Sequence, residues 1–121
     1  MRLKMANQIT VFEYVGTETG ADLIKTVSSE NNGWVKQMIV VVPDFLDAPN
    51  AVITINDTAN GVVPFTSVAC PSNATTKIGD TITAAELGSI PLGEHPWTLT
   101  CTLSATPGSA GKVKVISYFS M

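Results

Sequence analysis

The feature that most constrains this chain is a period of two. From Trp97 to Ala105 the sequence sets Trp97, Leu99, Cys101 and Leu103 against Thr98, Thr100, Thr102 and Ser104. Successive side chains of an extended strand point to opposite faces, so this alternation predicts a strand with one face on a core and one toward solvent. The pattern recurs at Ala51 to Asn56 and at Lys112 to Met121. In Gln8 to Val15 large residues occupy both phases, with Ile9 and Val11 on one and Phe12 and Tyr14 on the other. Such a strand is expected to be covered on both sides or paired at an interface.

Between these segments lie turn residues. Asn31-Asn32-Gly33, Pro71-Ser72-Asn73 and Pro107-Gly108-Ser109 fall where the alternation stops, and Asn and Gly tolerate the positive φ that tight turns need. Asn60-Gly61 is the strongest short hairpin signal and predicts that Ala51–Asn56 and Val62–Cys70 pair. Pro64 within the second of these marks an edge strand or a bulge, because proline cannot donate to the ladder. Trp34 to Val42 is a strand that Pro43 stops. Ala21 to Ser28 reads as a strand or as one helical turn. The last two alternating segments, Trp97–Ala105 and Lys112–Met121, are expected to form a second hairpin. About eight short antiparallel strands with no long helical stretch predict a single-domain all-β fold, a β-sandwich or jelly roll. Residues 1–8 are expected to form an N-terminal arm or tail, and 9–121 the sandwich domain.

Charge narrows the function. Only 14% of residues are charged, against about 25% in a typical soluble domain. The net charge is −3 and the seven basic residues are scattered, so the basic stripe that displaces counterions from nucleic acid is missing. The longest apolar run, Met38 to Val42, is far shorter than the ~20 residues that span a bilayer. Neither nucleic acid nor membrane is therefore expected as a partner. The two cysteines, Cys70 and Cys101, are read as buried free thiols, with a bridge available only if their strands are neighbours.

No constellation of residues assembles into a reactive site. His95 is the only histidine and sits in a loop, where a catalytic triad or a zinc centre would need partners that the sequence does not place. Asp44, Asp47 and Asp57 lack the dense spacing of a calcium loop and fit turn capping. Glu86 and Glu94 have no spacing that makes them a glycosidase pair. Gly108-Ser109-Ala110-Gly111 lacks the lysine of a phosphate cradle. No enzyme activity, cofactor or metal is expected. Trp34 and Trp97, each opening a strand, are expected to close the ends of the core, with a sugar-stacking platform as the alternative.

Four stretches carry a resemblance: Met5-Ala6-Asn7-Gln8-Ile9-Thr10-Val11-Phe12, Lys36-Gln37-Met38-Ile39-Val40-Val41-Val42-Pro43-Asp44-Phe45, the hairpin around Asn60-Gly61, and Val113-Lys114-Val115-Ile116-Ser117-Tyr118-Phe119. In size, style and strand pattern they resemble small β-rich virion proteins of tailed bacteriophages, among them head decoration (cement) proteins and related accessory subunits. The resemblance implies a non-enzymatic subunit, assembled in the host cytoplasm onto a capsid or another virion protein, as a homo-oligomer and often a trimer. Ile9, Val11, Phe12 and Tyr14 are the candidate subunit contacts. The alternative is a carbohydrate- or receptor-binding module of a tail or cell-surface assembly, using Trp34 and Trp97.

Overall fold

Alternation decides the structure strand by strand. The computed structural model describes residues 5–29, 34–58, 61–78, 90–91 and 97–120. Nine strands form: β1 (Met5–Tyr14), β2 (Ile24–Ser29), β3 (Trp34–Val42), β4 (Ala51–Asp57), β5 (Val62–Thr66), β6 (Ala74–Ile78), β7 (Ile90–Pro91), β8 (Trp97–Leu103) and β9 (Gly111–Ser120). A single 3-10 turn, Gly20–Leu23, leads directly into β2, so the segment from Ala21 to Ser28 holds both of the forms its sequence allowed. In β8 burial follows the sequence without a break: Trp97, Leu99, Cys101 and Leu103 are buried and the three threonines between them half-buried.

The strands lie in two antiparallel sheets. The first has the order β1-β9-β3-β6, with the two-residue β7 also pairing with β3, and the second has the order β2-β8-β4-β5. Their inner faces share one core, in which Phe12, Tyr14, Met38, Phe45, Ile53, Ile55, Ile78, Trp97 and Leu99 are among the largest fully buried side chains.

The connectivity is a long ribbon rolled on itself. β4 pairs with β5, β3 with β6, β2 with β8 and β1 with β9, nested about the turn that Gly61 closes with a φ of +69°. Pairing of β9 with β3 and of β8 with β4 seals the roll. β4 and β5 pair as the hairpin expected around Asn60-Gly61 requires, with a register shift where Pro64 lies on the edge strand; Asn60 itself lies outside the described residues.

The second expected hairpin does not form. β8 and β9 are consecutive, yet they belong to different sheets. Alternation says which face of a strand is buried, and it is silent on which sheet the strand joins. The link from Ser104 to Ala110 is long enough to cross the ~10 Å between packed sheets. It is pinned on the way, where Asp47 N–H donates to Pro107 O at 3.0 Å and Leu46 N–H to the Ser109 hydroxyl at 2.9 Å. Gly16, at φ +101°, passes so close that a Cβ there would lie 2.9 Å from the Ser109 carbonyl carbon, which only glycine allows.

The expected boundary at residue 8 also moves. β1 pairs with β9 in unbroken register from Met5↔Ser120 to Tyr14↔Gly111. Residues 5–8 therefore belong to the sheet rather than to an arm, because the register of β9 runs far enough to hold them. Residues 1–4 lie outside the described residues.

Candidate functional site

β1 divides the four candidate contacts. Ile9 and Val11 project from the outer face of the first sheet, 61% and 43% exposed. Phe12 and Tyr14 point inward and are buried, which corrects their assignment as subunit contacts: both fill the core. The Tyr14 hydroxyl lies 3.2 Å from Leu23 O and 3.3 Å from Cys101 O, so the phenol is satisfied where it is buried. Its ring meets Phe45 edge-on at 6.0 Å, and Lys25 Nζ lies 5.5 Å from the ring centroid. Burial, first of all, pushes the Tyr14 pKa up.

Around Ile9 and Val11 the register assembles an apolar face. Ile9 pairs with Ile116, and Ile116 with Ile39, giving three isoleucines in line across β1, β9 and β3. On one side of this row Val11, Lys114 and Val41 align, and on the other side Asn7, Tyr118 and Gln37. Ile39, Val41, Ile116 and Tyr118 are half-buried. These four were not singled out from the sequence, although β3 and β9 also carry apolar residues in both phases. A register shift between Val35 and Gln37 hid the pattern in β3. The extra residue, Lys36, switches the phase, so Val35 and then Met38, Val40 and Val42 are buried.

The outer face of the second sheet is mostly hydroxyl, with Ile24 and Val52 flanking Thr102 in one row. Thr26, Thr100, Thr54 and Thr66 form one row across β2, β8, β4 and β5. Thr26 and Thr100 hydroxyls share a hydrogen bond of 3.0 Å, and the Asn56 amide donates to the Thr100 hydroxyl at 3.0 Å. An open depression beside this row is lined by Ile24, Thr26, Thr98, Thr100, Asn56 and Asp57, among others.

Trp97 is 2% exposed. It closes the core, as its first reading held, and the platform reading of this residue is corrected: no face of a buried indole is open to a sugar. The backbone of Trp34 pairs with Ser120 and Pro91; its side chain lies outside the described residues, as do His95, Glu86 and Glu94. Asp44 and Asp47 are exposed in the loop after β3, and Asp57 ends β4. Among the described residues no group of three or more His, Cys, Asp or Glu side chains could hold a metal ion. Also among them, no helix is long and apolar enough to cross a membrane.

Two further groups serve the fold. Glu18 accepts hydrogen bonds from Val15 N–H at 2.6 Å and Gly16 N–H at 2.8 Å. Desolvation pushes its pKa up, but these backbone donors and the Lys25 charge outweigh it and hold the carboxyl below its ordinary value. Cys70 and Cys101 are buried free thiols. Burial pushes the Cys101 thiol up to about 11 and the Cys70 thiol upward as well, so neither is a ready nucleophile.

Comparison of the chain with protein-family models, with characterised proteins and with solved structures finds no match.

Proposed function

We propose that this protein is a non-enzymatic structural subunit of a virion, most specifically a decoration or stabilising subunit that docks on a capsid through the outer face of its first sheet. The observation that carries the reading is the contiguous row Ile9, Ile116, Ile39 with Val11, Val41 and Tyr118 beside it. A sheet face of this composition has the pattern of a surface meant to be covered. The rolled-ribbon strand order agrees with a jelly roll, an architecture that recurs in viral capsid proteins and in lectins. Support from architecture is by analogy; the apolar face supplies the physical argument. Docking would stabilise the assembled particle by mass action, since the subunit binds the shell and not its dissociated parts.

The test is co-sedimentation of the purified protein with shells that lack it. Ile39→Lys and Ile116→Lys each place a charge in the centre of the face. Each is expected to weaken binding by about thirtyfold or more, the loss typical of a central interface residue, with the far-ultraviolet circular dichroism unchanged. Binding that survives both substitutions would overturn the proposal.

The alternative, a carbohydrate-binding module, draws on the second sheet instead, where threonine hydroxyls, the Asn56 amide and the side chains of Ile24 and Val63 line the depression near Asp57. Amide chemical shifts of Thr98 and Thr100 that move with added sugar, and are unmoved by shells, would favour it.

A further inference from the structure

A sheet edge is a row of unpaired main-chain donors and acceptors, and proteins blunt such edges with lysine, proline, bulges or short strands. Among the described residues, the edge strands β2, β5 and β6 carry such devices and β7 has only two residues. β2 has Lys25, β5 has Pro64 and a register shift, and β6 has Lys77 and only five residues. β1 has none of them. It is ten residues long, pairs with β9 without a break, and among the described residues no strand pairs with its other side. Its one charge is Glu13.

The outward residues of β1 read Asn7, Ile9, Val11, Glu13: polar, apolar, apolar, polar. That order is symmetric about Thr10, and a two-fold interface demands such symmetry, because each residue i that meets j requires j to meet i. The geometry points to a second copy of this chain as the occupant of the β1 edge, paired antiparallel with Thr10 on the two-fold axis. Ile9 then faces Val11 of the second copy at both ends of the centre, and Asn7 faces Glu13 of the second copy, an amide donor against a carboxylate. No like charges meet. Sliding the pairing until the two Glu13 residues face each other would bring equal charges together, which directly opposed strand positions disfavour. The product is one continuous sheet through two protomers, with main-chain bonds from the edge and side-chain pairs from alternate residues. It does not depend on what the outer face of the sheet binds.

The experiment is solution mass by light scattering or equilibrium sedimentation. The wild-type protein is expected at twice the protomer mass. Ile9→Lys and Val11→Lys, at exposed positions that tolerate lysine, are expected to give monomers with unchanged far-ultraviolet circular dichroism and a Tm that no longer depends on protein concentration. Ile39→Lys and Ile116→Lys, on the same face but away from the edge, are expected to leave the dimer intact. Asn7→Asp sets a carboxylate opposite Glu13 of the second copy and is expected to raise the dissociation constant about tenfold, and Asn7→Asp with Glu13→Gln to restore it. A monomeric wild type, a trimer, or a dimer lost through Ile39→Lys or Ile116→Lys while Ile9→Lys and Val11→Lys keep it would each overturn the pairing. The last result would mean that copies stack face to face.

Discussion

The two outer faces of the sandwich come from strands of equal regularity, yet they differ in kind. On the second sheet most outward residues are polar, Thr26, Thr54, Thr66, Thr98, Thr100, Thr102 and Asn56, with Ile24 and Val52 in the row of Thr102, and several hydrogen-bond one another across strands. Such a face meets water mainly with hydroxyls. On the first sheet Ile9, Val11, Ile39, Val41, Ile116 and Tyr118 form an apolar patch on the outward face, interrupted by Lys114 and rimmed by Asn7, Gln37, Glu13 and Lys112, and water is a poor solvent for the apolar part. The difference teaches that β alternation describes two independent surfaces. One strand phase builds the core, and the other states what the molecule expects to meet.

The comparison breaks most visibly if an outward residue of β1 proves as important to folding as its inward neighbour. Phe12→Ala should cost about 3–5 kcal/mol in urea unfolding, as large-to-small changes in cores do. Val11→Ala, compared in the monomeric Ile9→Lys background, should cost less than about 0.5 kcal/mol, within the range of open surface positions. Similar losses for the two would mean that the outer face of the first sheet is already engaged within the protomer.

A smaller effect sharpens the contrast between sheets. Thr100→Val removes the hydroxyl shared with Thr26 and Asn56 and should lower stability by about 1 kcal/mol, the net worth of a typical intramolecular hydrogen bond. Ile116→Thr, the reverse exchange on the first sheet, should weaken particle binding far more than it lowers Tm. Equal thermal shifts would show that the two faces contribute alike to folding.

The smallest effect concerns pH and belongs to neither face. The Glu18 carboxyl is held below its ordinary pKa in the folded protein, so its contribution to stability is complete above the unfolded value. That contribution falls away as the pH drops through the folded one. Stability of wild type should therefore decline more steeply on acidification than that of Glu18→Gln, as followed by Tm between pH 6 and pH 3. Parallel curves would remove Glu18 from the account.

How much of this was legible in the sequence depends on which property is asked for. The all-β class, the strands around Trp97–Leu103 and Ala51–Asn56, and the pairing of β4 with β5 followed directly from period and turn chemistry. The partner of β8 did not, because burial of Leu99 and Cys101 is the same whether β9 lies beside β8 or in the opposite sheet. The candidate face was half legible. Alternation put Ile9 and Val11 on one face of β1 and Phe12 and Tyr14 on the other, but with large residues in both phases only the fold shows which face meets the core. Ile39 and Ile116 became part of the same surface only through register, a long-range property that no local pattern encodes.

The rolled ribbon has a mechanical consequence. Its outermost rung joins Met5 to Ser120, so tension applied between those two points pulls across the ladder rather than along it. The rungs then yield one after another instead of sharing the load. A body anchored by both of these ends to moving supports would unzip from that side at low force, whereas one gripped by its broad face would hold.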